Sequence, residues 1–568
     1  MKKISILTLA LIFTIGLKGQ TLTDIRTDFA ERIKKTMKKN DVVGAAVAVV
    51  SSDSVLWIDS FGYADKETQA KVTANTLFGL GSVTKVFTSI AVLQLQDRNV
   101  LDIDDPLNSH LKSFKIKGGH SDQVTPRNVL IHHSGLPSDI FKGMFTSKPE
   151  NYKEVVNYIG DEYMAGVPGE IRAYSNSGYS LLGNMIYEAT GTEYDEYVRE
   201  SILKVLKMDN SEFNALESAS RTYNRKGDHK EDLPLRDIPA GGLFSTANDM
   251  AKFASAYLSR SGQMLSLKSY EEMMTVQNGN VPLDFGGRYG LGWSMTTRPH
   301  VGDIFYHTGT TLYFNAAIAL APEADLGVVI LTNSERGGRV YREVHSILEE
   351  VAKSYGKPEQ PSKNVTDLGN KKRVEVEGGS LDQYSGIYAT PGAYLNVFTK
   401  GKKLMLRIQG IKAELIPVGG NTFIPKPILL GVIPIKLNEN RMYFESIAGH
   451  QVMTQIELNG TKELVAEKVE LPVISEEWKK RLGNYQRTDL MDGELSFFID
   501  FQLKEKDGLL IFSLKQSTNG QTLEMVLDII DENRGKISGL GRYAGQSLQV
   551  ENDQLKIFGF SLKKSEGE

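Results

Sequence analysis

Gly81-Ser82-Val83-Thr84-Lys85-Val86-Phe87 sets a hydroxyl and an amine three residues apart at the head of an apolar run. Val83, Val86, Phe87, Ile90 and Ala91 follow at helical spacing, which predicts a buried helix with Gly81 and Ser82 as its opening turn. On such a helix Ser82 and Lys85 share a face, one turn apart. Burial gives the pair a chemistry, because an amine stripped of water holds its proton less tightly and, once neutral, can take a proton from a nearby hydroxyl. Ser82 is thus a candidate nucleophile and Lys85 its base. Spacing alone does not single them out, since Ser109 with Lys112, Ser201 with Lys204, Ser354 with Lys357 and Ser561 with Lys564 repeat it. Setting does: a glycine before, an apolar helix after, and two further motifs downstream.

Working outward, Thr23 to about Lys38 reads as a helix, and Val42–Val50 and Ser54–Asp59 as a β-hairpin ahead of the Ser82 helix. His132-His133-Ser134-Gly135-Leu136-Pro137 is a loop of turn formers; no acidic residue stands beside the histidines at metal-site helical spacing, so they are read as structural and no metal is implied. Tyr174-Ser175-Asn176-Ser177-Gly178-Tyr179 leads into an apolar helix face of Leu181, Leu182, Met185, Ile186 and Ala189, and Thr246 is placed to cap a helix from about Ala247. Ile304–Tyr306 runs into His307-Thr308-Gly309-Thr310-Thr311, Asn315–Ala321 and Leu326–Leu331 read as strands, and Val340–Lys353 as a closing helix. Strands at both ends of a largely helical middle predict an α+β domain whose terminal segments share one antiparallel sheet.

Beyond it, 357–379 reads as a polar linker, followed by short strands with few helical signals. Tyr384-Ser385-Gly386-Ile387-Tyr388 is echoed by Leu482-Gly483-Asn484-Tyr485, each preceding alternating runs, which predicts two similar antiparallel β-barrels or sandwiches at 380–465 and 474–568. At 568 residues the chain exceeds one core, and its net charge of -4 without a basic tract speaks against nucleic acid. The absence of cysteine excludes disulfides, thiolate metal sites and a cysteine nucleophile. Lys2 and Lys3 ahead of the apolar run Ile4–Leu17 read as a cleaved export signal over 1–19, so the expected compartment is a bacterial periplasm or the exterior, with no membrane span left after cleavage.

Ser82-Val83-Thr84-Lys85, Tyr174-Ser175-Asn176 and His307-Thr308-Gly309 together resemble the three signature motifs of the penicillin-recognising serine hydrolases, the superfamily of serine β-lactamases and penicillin-binding peptidases. The Tyr-x-Asn form is similar to the branch holding class C β-lactamases, DD-carboxypeptidases, D-aminopeptidases and related esterases. Ser134-Gly135-Leu136-Pro137, Gly178-Tyr179 and Tyr289-Gly290-Leu291-Gly292-Trp293 extend the resemblance over about Thr23 to Lys353, and the C-terminal half resembles the lipocalin-like barrels appended to D-aminopeptidases.

The resemblance implies a β-lactamase/transpeptidase-like domain over 20–356 that needs no cofactor. Ser82 would form an acyl-enzyme, with Lys85 and Tyr174 sharing the proton traffic and Asn176 bonding Lys85 and the substrate amide. Backbone N–H groups of Ser82 and Thr310 would hold the oxyanion, and His307, Thr308 and Gly309 would line the substrate strand. β-Lactamases usually begin the third motif with lysine; His307, expected to be charged in part near neutral pH, shifts the implied function towards a peptidase of carboxypeptidase or aminopeptidase type acting on D-amino-acid or peptidoglycan-derived peptides. A small-ester esterase or β-lactamase is the alternative, and a non-catalytic cell-wall or β-lactam binding protein the alternative of another class. A P-loop is excluded because Gly79-Leu80-Gly81 and Lys85 lack the Gly-Lys-Ser/Thr ending, and no Gly-x-Ser-x-Gly elbow occurs.

Overall fold

Gly44–Val50, Gly-Ala-Ala-Val-Ala-Val-Val, is buried at every position, which requires a strand covered on both faces. Its small residues let helices approach closely from either side. In the computed structural model, which describes residues 21–359, 374, 381–427, 440–456 and 462–565, this strand lies inside an eight-stranded antiparallel sheet. On one side it pairs with Val55–Asp65, on the other with Leu326–Thr332, so the two ends of the domain meet in one sheet as expected. From Leu326–Thr332 the sheet continues through Asn315–Ala321, Gly302–Thr310, Trp293–Arg298 and Arg288–Gly290.

Alternation along Gly44–Val50 divides the core. Ala45, Val47 and Val49 pack beneath Ile25, Phe29 and Ile33 of the helix Leu22–Asn40 and Ile347, Leu348 and Val351 of the helix Val344–Ser354. Ala46, Ala48 and Val50 face the opposite layer, which contains the helix Thr84–Asp97, buried from Thr84 through Leu95, and the helices Asn176–Thr190 and Ala247–Ser259. Thr246 caps the last of these by accepting from Asp249 N–H. Ser82 lies just outside the long helix, in a short 3₁₀ turn, Gly81–Val83, that feeds it.

Two closed barrels of eight antiparallel strands follow, the first from Gly386–Thr390 to Lys462–Val469 and the second from Gly483–Arg487 to Phe560–Lys564. The sequence echo is a shared corner. Tyr388 Oη donates to the Tyr384 carbonyl (3.0 Å) and Tyr485 Oη to the Arg481 carbonyl (2.6 Å), while Gly386 and Gly483 take φ of 145° and 148°. The first barrel ends later than expected: its closing strand Lys462–Val469 pairs with Gly386–Thr390, so a boundary at 465 would cut it. Its charged residues, Lys462, Glu463, Glu467 and Lys468, make the strand read as linker until the closure is seen. The proposed export segment, most of the 357–379 linker and the apolar run Ile428–Ile435 lie outside the described residues.

The second barrel does not hang free. Segment 140–147 of the N-terminal domain inserts Phe141, Met144 and Phe145 into that barrel's apolar cluster, with Phe141 against Phe498 and Phe558 at centroid distances of 4.9 and 5.6 Å. Backbone bonds fix the register: Phe141 N–H to the Phe558 carbonyl (2.9 Å) and Leu495 N–H to the Phe145 carbonyl (2.9 Å). We expect Phe141→Ala to destabilise the chain by about 3 kcal/mol or more, as for other buried Phe truncations. Denaturant unfolding checks this, and a change below about 0.5 kcal/mol would mean the segment is not anchored.

Candidate active site

Lys85 is the most constrained side chain of the cleft. It is fully buried, and its Nζ lies 2.7 Å from Asn176 Oδ1, 2.7 Å from the Ala240 carbonyl and 3.1 Å from Ser82 Oγ. Burial lowers its proton affinity below the ordinary lysine value; the Tyr174 phenol and the Asp139 carboxylate act in the other direction, and the Arg542 guanidinium adds to the lowering. A neutral amine has two donors and one lone pair. With the donors taken by Asn176 and Ala240, the lone pair is left for the Ser82 hydroxyl.

The Asn176 orientation is fixed by chemistry. Its Nδ2 is 2.6 Å from Asp139 Oδ1, which can only accept, so Oδ1 must face Lys85. Asn176 opens the helix Asn176–Thr190, whose cap is Ser175, accepting from Gly178 N–H at 2.9 Å. Tyr174, the residue before the cap, presents its ring 4.8 Å from Lys85 Nζ. His132 stacks on that ring at 4.2 Å and accepts at Nδ1 from Ser175 N–H (3.2 Å). His133 instead bonds Asp284 Oδ2 (2.7 Å) and the Ile131 carbonyl (2.7 Å).

The third motif forms the end of the strand Gly302–Thr310, laid against the Ser82 turn. Here glycine is required. A Cβ on Gly309 would stand 1.9 Å from the Leu80 carbonyl and 2.8 Å from Ser82 N, and one on Gly81, at φ +48°, would stand 2.6 Å from Thr310 N. Gly309 therefore sets the distance between strand and nucleophile turn, bringing the Ser82 and Thr310 amides into abutting segments. His307 is buried, bonded through Nδ1 to the Thr308 carbonyl (2.8 Å), and held neutral: burial, the largest cause, depresses its pKa to about 3. The expected partial charge at neutral pH is thus corrected, because the sequence shows the residue type but not its desolvation.

The cleft, about 330 Å³, is lined by Ser82, Tyr174, Asn176 and His307–Thr310. All eight residues singled out in the sequence meet there or, for Lys85, directly beneath. Two arginines escaped the motif reading. Arg172 stacks on Tyr289 (4.4 Å) and Tyr174 (5.6 Å), and among the described residues its guanidinium makes no hydrogen bond or ion pair with a carboxylate. Arg542 comes from the second barrel, in the loop Ser538-Gly539-Leu540-Gly541-Arg542-Tyr543-Ala544-Gly545-Gln546, and lies 5.2 Å from the Tyr174 ring centroid. That loop's three glycines around one arginine were the available signal; Asp139 had none beyond following Ser134-Gly135-Leu136-Pro137.

Residues 29–352 match the model of the family described as "Beta-lactamase". The chain belongs to the beta-lactamase family. The family falls within the penicillin-recognising serine hydrolase superfamily, which also holds the penicillin-binding proteins. Among curated proteins, "Protein flp" of Staphylococcus aureus is 28% identical over 316 residues, 53% of this chain, and "Penicillin-binding protein 4*" of Bacillus subtilis is 26% identical over 418 residues, 68% of this chain and 88% of its own length. The match spans 61% of the flp protein's length. Among solved structures, the octameric penicillin-binding protein homologue from Pyrococcus abyssi (23% identity, TM-score 0.51, covering 78% of this chain and all of its own) and SurE with D-Leu (18%, TM-score 0.57, 79% and all) share the fold.

The buried imidazoles give a pH signature. His307, at about 3, and His132, well below 6.5, are neutral when folded and take protons only on unfolding. Their contribution to stability is complete above pH 6.5 and is lost as pH falls through the interval down to about 3. His307→Asn should therefore flatten the loss of melting temperature over that interval. An unchanged slope would mean the imidazole titrates in the folded protein.

Proposed function

We propose that this hydrolase cleaves an amide through an acyl-enzyme at Ser82, acting as a carboxypeptidase on short peptides whose free carboxylate lies beside the scissile bond. Ser82 Oγ attacks the carbonyl carbon and its proton passes to Lys85; the tetrahedral oxyanion is held by the Ser82 and Thr310 N–H groups. Tyr174, beside Lys85, carries the proton on to the departing amine, and water then releases the acid by the reverse path. Asn176 keeps Lys85 aimed at Ser82, while Thr308, with His307 behind it, forms the wall along which the peptide lies.

One observation carries the choice of substrate: with His307 neutral, the cleft keeps a guanidinium, Arg172, that has no carboxylate partner among the described residues. An unpaired guanidinium beside a nucleophile suits an acid, and two of its donors can meet both oxygens of a carboxylate. The penicillin-binding relative and the neighbour determined with D-Leu support substrates ending in a D-amino acid, as in peptidoglycan peptides. A periplasmic or extracellular location fits such a substrate and the export signal read at 1–19.

Hydrolysis of a D-Ala-D-Ala peptide and of its C-terminal amide tests this. Arg172→Ala should raise KM for the acid about tenfold to a hundredfold, the value of a charge-assisted hydrogen bond, and leave the amide unaffected. Ser82→Ala should abolish acylation by either. Equal effects of Arg172→Ala on acid and amide would remove the carboxypeptidase assignment.

A further inference from the structure

An unbroken line of polar contacts joins the second barrel to the nucleophile. Arg542 donates from Nε (3.0 Å) and Nη2 (2.7 Å) to Asp139 Oδ2, and Asp139 Oδ1 accepts from Asn176 Nδ2 at 2.6 Å. Asn176 Oδ1 in turn lies 2.7 Å from Lys85 Nζ, itself 3.1 Å from Ser82 Oγ. The Asp139 side chain has no exposed surface, while that of Arg542 is 39% exposed, so the carboxylate is screened chiefly by the barrel's arginine. Two more bonds seat the same loop: Tyr543 N–H to Ser138 Oγ (3.1 Å) and Gln546 Nε2 to the Asp139 carbonyl (3.3 Å).

We propose that Arg542 is a positioning residue of the hydrolase site, supplied in cis by the second barrel: by balancing the Asp139 charge it fixes the Asn176 amide and keeps Lys85 free to act as a base. The proposal rests on the reading of Ser82 and Lys85 as nucleophile and base. A buried negative charge near an amine makes the amine hold its proton, and a balancing cation undoes the effect. Around Lys85 the charged and titratable groups among the described residues are the Tyr174 and Tyr179 phenols, Asp139 with Arg542, Asp237 with its partner Arg236, Arg172, and the buried imidazoles His132 and His307. Asp237 already has its own buried cation, Arg236, at 2.7 Å. Among the described residues Asp139 forms an ion pair only with Arg542, and in the balance at Lys85 the two enter with opposite signs.

Without Arg542 the Asp139 charge acts unbalanced on Lys85, which becomes an ammonium and loses the lone pair that Ser82 needs, so the effect falls on the rate of acylation and its pH dependence.

The test follows the rate at which a neutral fluorophosphonate phosphonylates Ser82, with loss of fluoride, between pH 5 and 10 in the full chain. Melting temperature reports folding. Arg542→Ala is expected to slow labelling at pH 7 about tenfold and move the acid limb up by about one unit, the equivalent change in proton affinity. Adding Asp139→Asn to that protein should bring the limb back, and Arg542→Lys should hold it in place. Arg542→Gln, closer in volume, makes the same comparison if the alanine protein does not fold. A limb at the same pH in the unaltered and charge-deleted proteins, with any loss of rate uniform across pH, would make Arg542 a docking residue and overturn the proposal. Absence of Ser82 labelling in the unaltered protein would instead overturn the nucleophile assignment, an outcome readily told apart from a limb that stays still.

Discussion

A single amine with more acceptors around it than a neutral nitrogen has hydrogens is the constraint on which the site depends. Two of the three neighbours of Lys85 cannot donate through the atom they present: a carbonyl, Ala240, and the oxygen of Asn176. Only Ser82 can give a proton, and the desolvation that surrounds the amine keeps it unprotonated, with its lone pair free to accept one. The helix Thr84–Asp97, buried from Thr84 through Leu95, supplies the desolvation, the short helix Ile238–Gly241 the carbonyl, and the first residue of the helix Asn176–Thr190 the amide. Moving any of the three would leave the amine either solvated or unaimed.

Much of this was legible because each motif is local. The hydroxyl-amine spacing, the residues flanking the Ser175 cap and the third motif around Gly309 each span only a few positions, and the physics that selects them acts over one turn or one strand end. Gly309 is instructive. As part of a signature it reads as a substrate contact, yet its measurable work is steric, letting the strand approach Leu80 and Ser82 more closely than any side chain would allow.

What was not legible acts at long range. Asp139 and Arg542 are separated by 403 residues, and nothing in either neighbourhood announces the other. The neutrality of His307 depends on how completely the strand, the Ser82 helix and Arg172 enclose it, which no residue spacing encodes. The closing strand Lys462–Val469 was misplaced for a related reason: its charges fall on both faces, Glu467 opposite Ala389 and Lys468 opposite Tyr388, so no clean alternation marks it until its barrel partners are known.

The hydrolase region is, in this light, less self-contained than its family signature implies. Segment 139–147 is where both kinds of coupling to the second barrel converge. Its first residue, Asp139, carries a buried charge that Arg542 balances, and the following Phe141, Met144 and Phe145 are apolar groups covered by the barrel's interior cluster. Removing the barrel would expose the aromatics and unbalance the carboxylate in one step. A domain that contributes a covering surface and a counter-charge to the same short segment cannot act as a passive appendage, because the energy that docks it and the electrostatics that tune Lys85 share the same contacts.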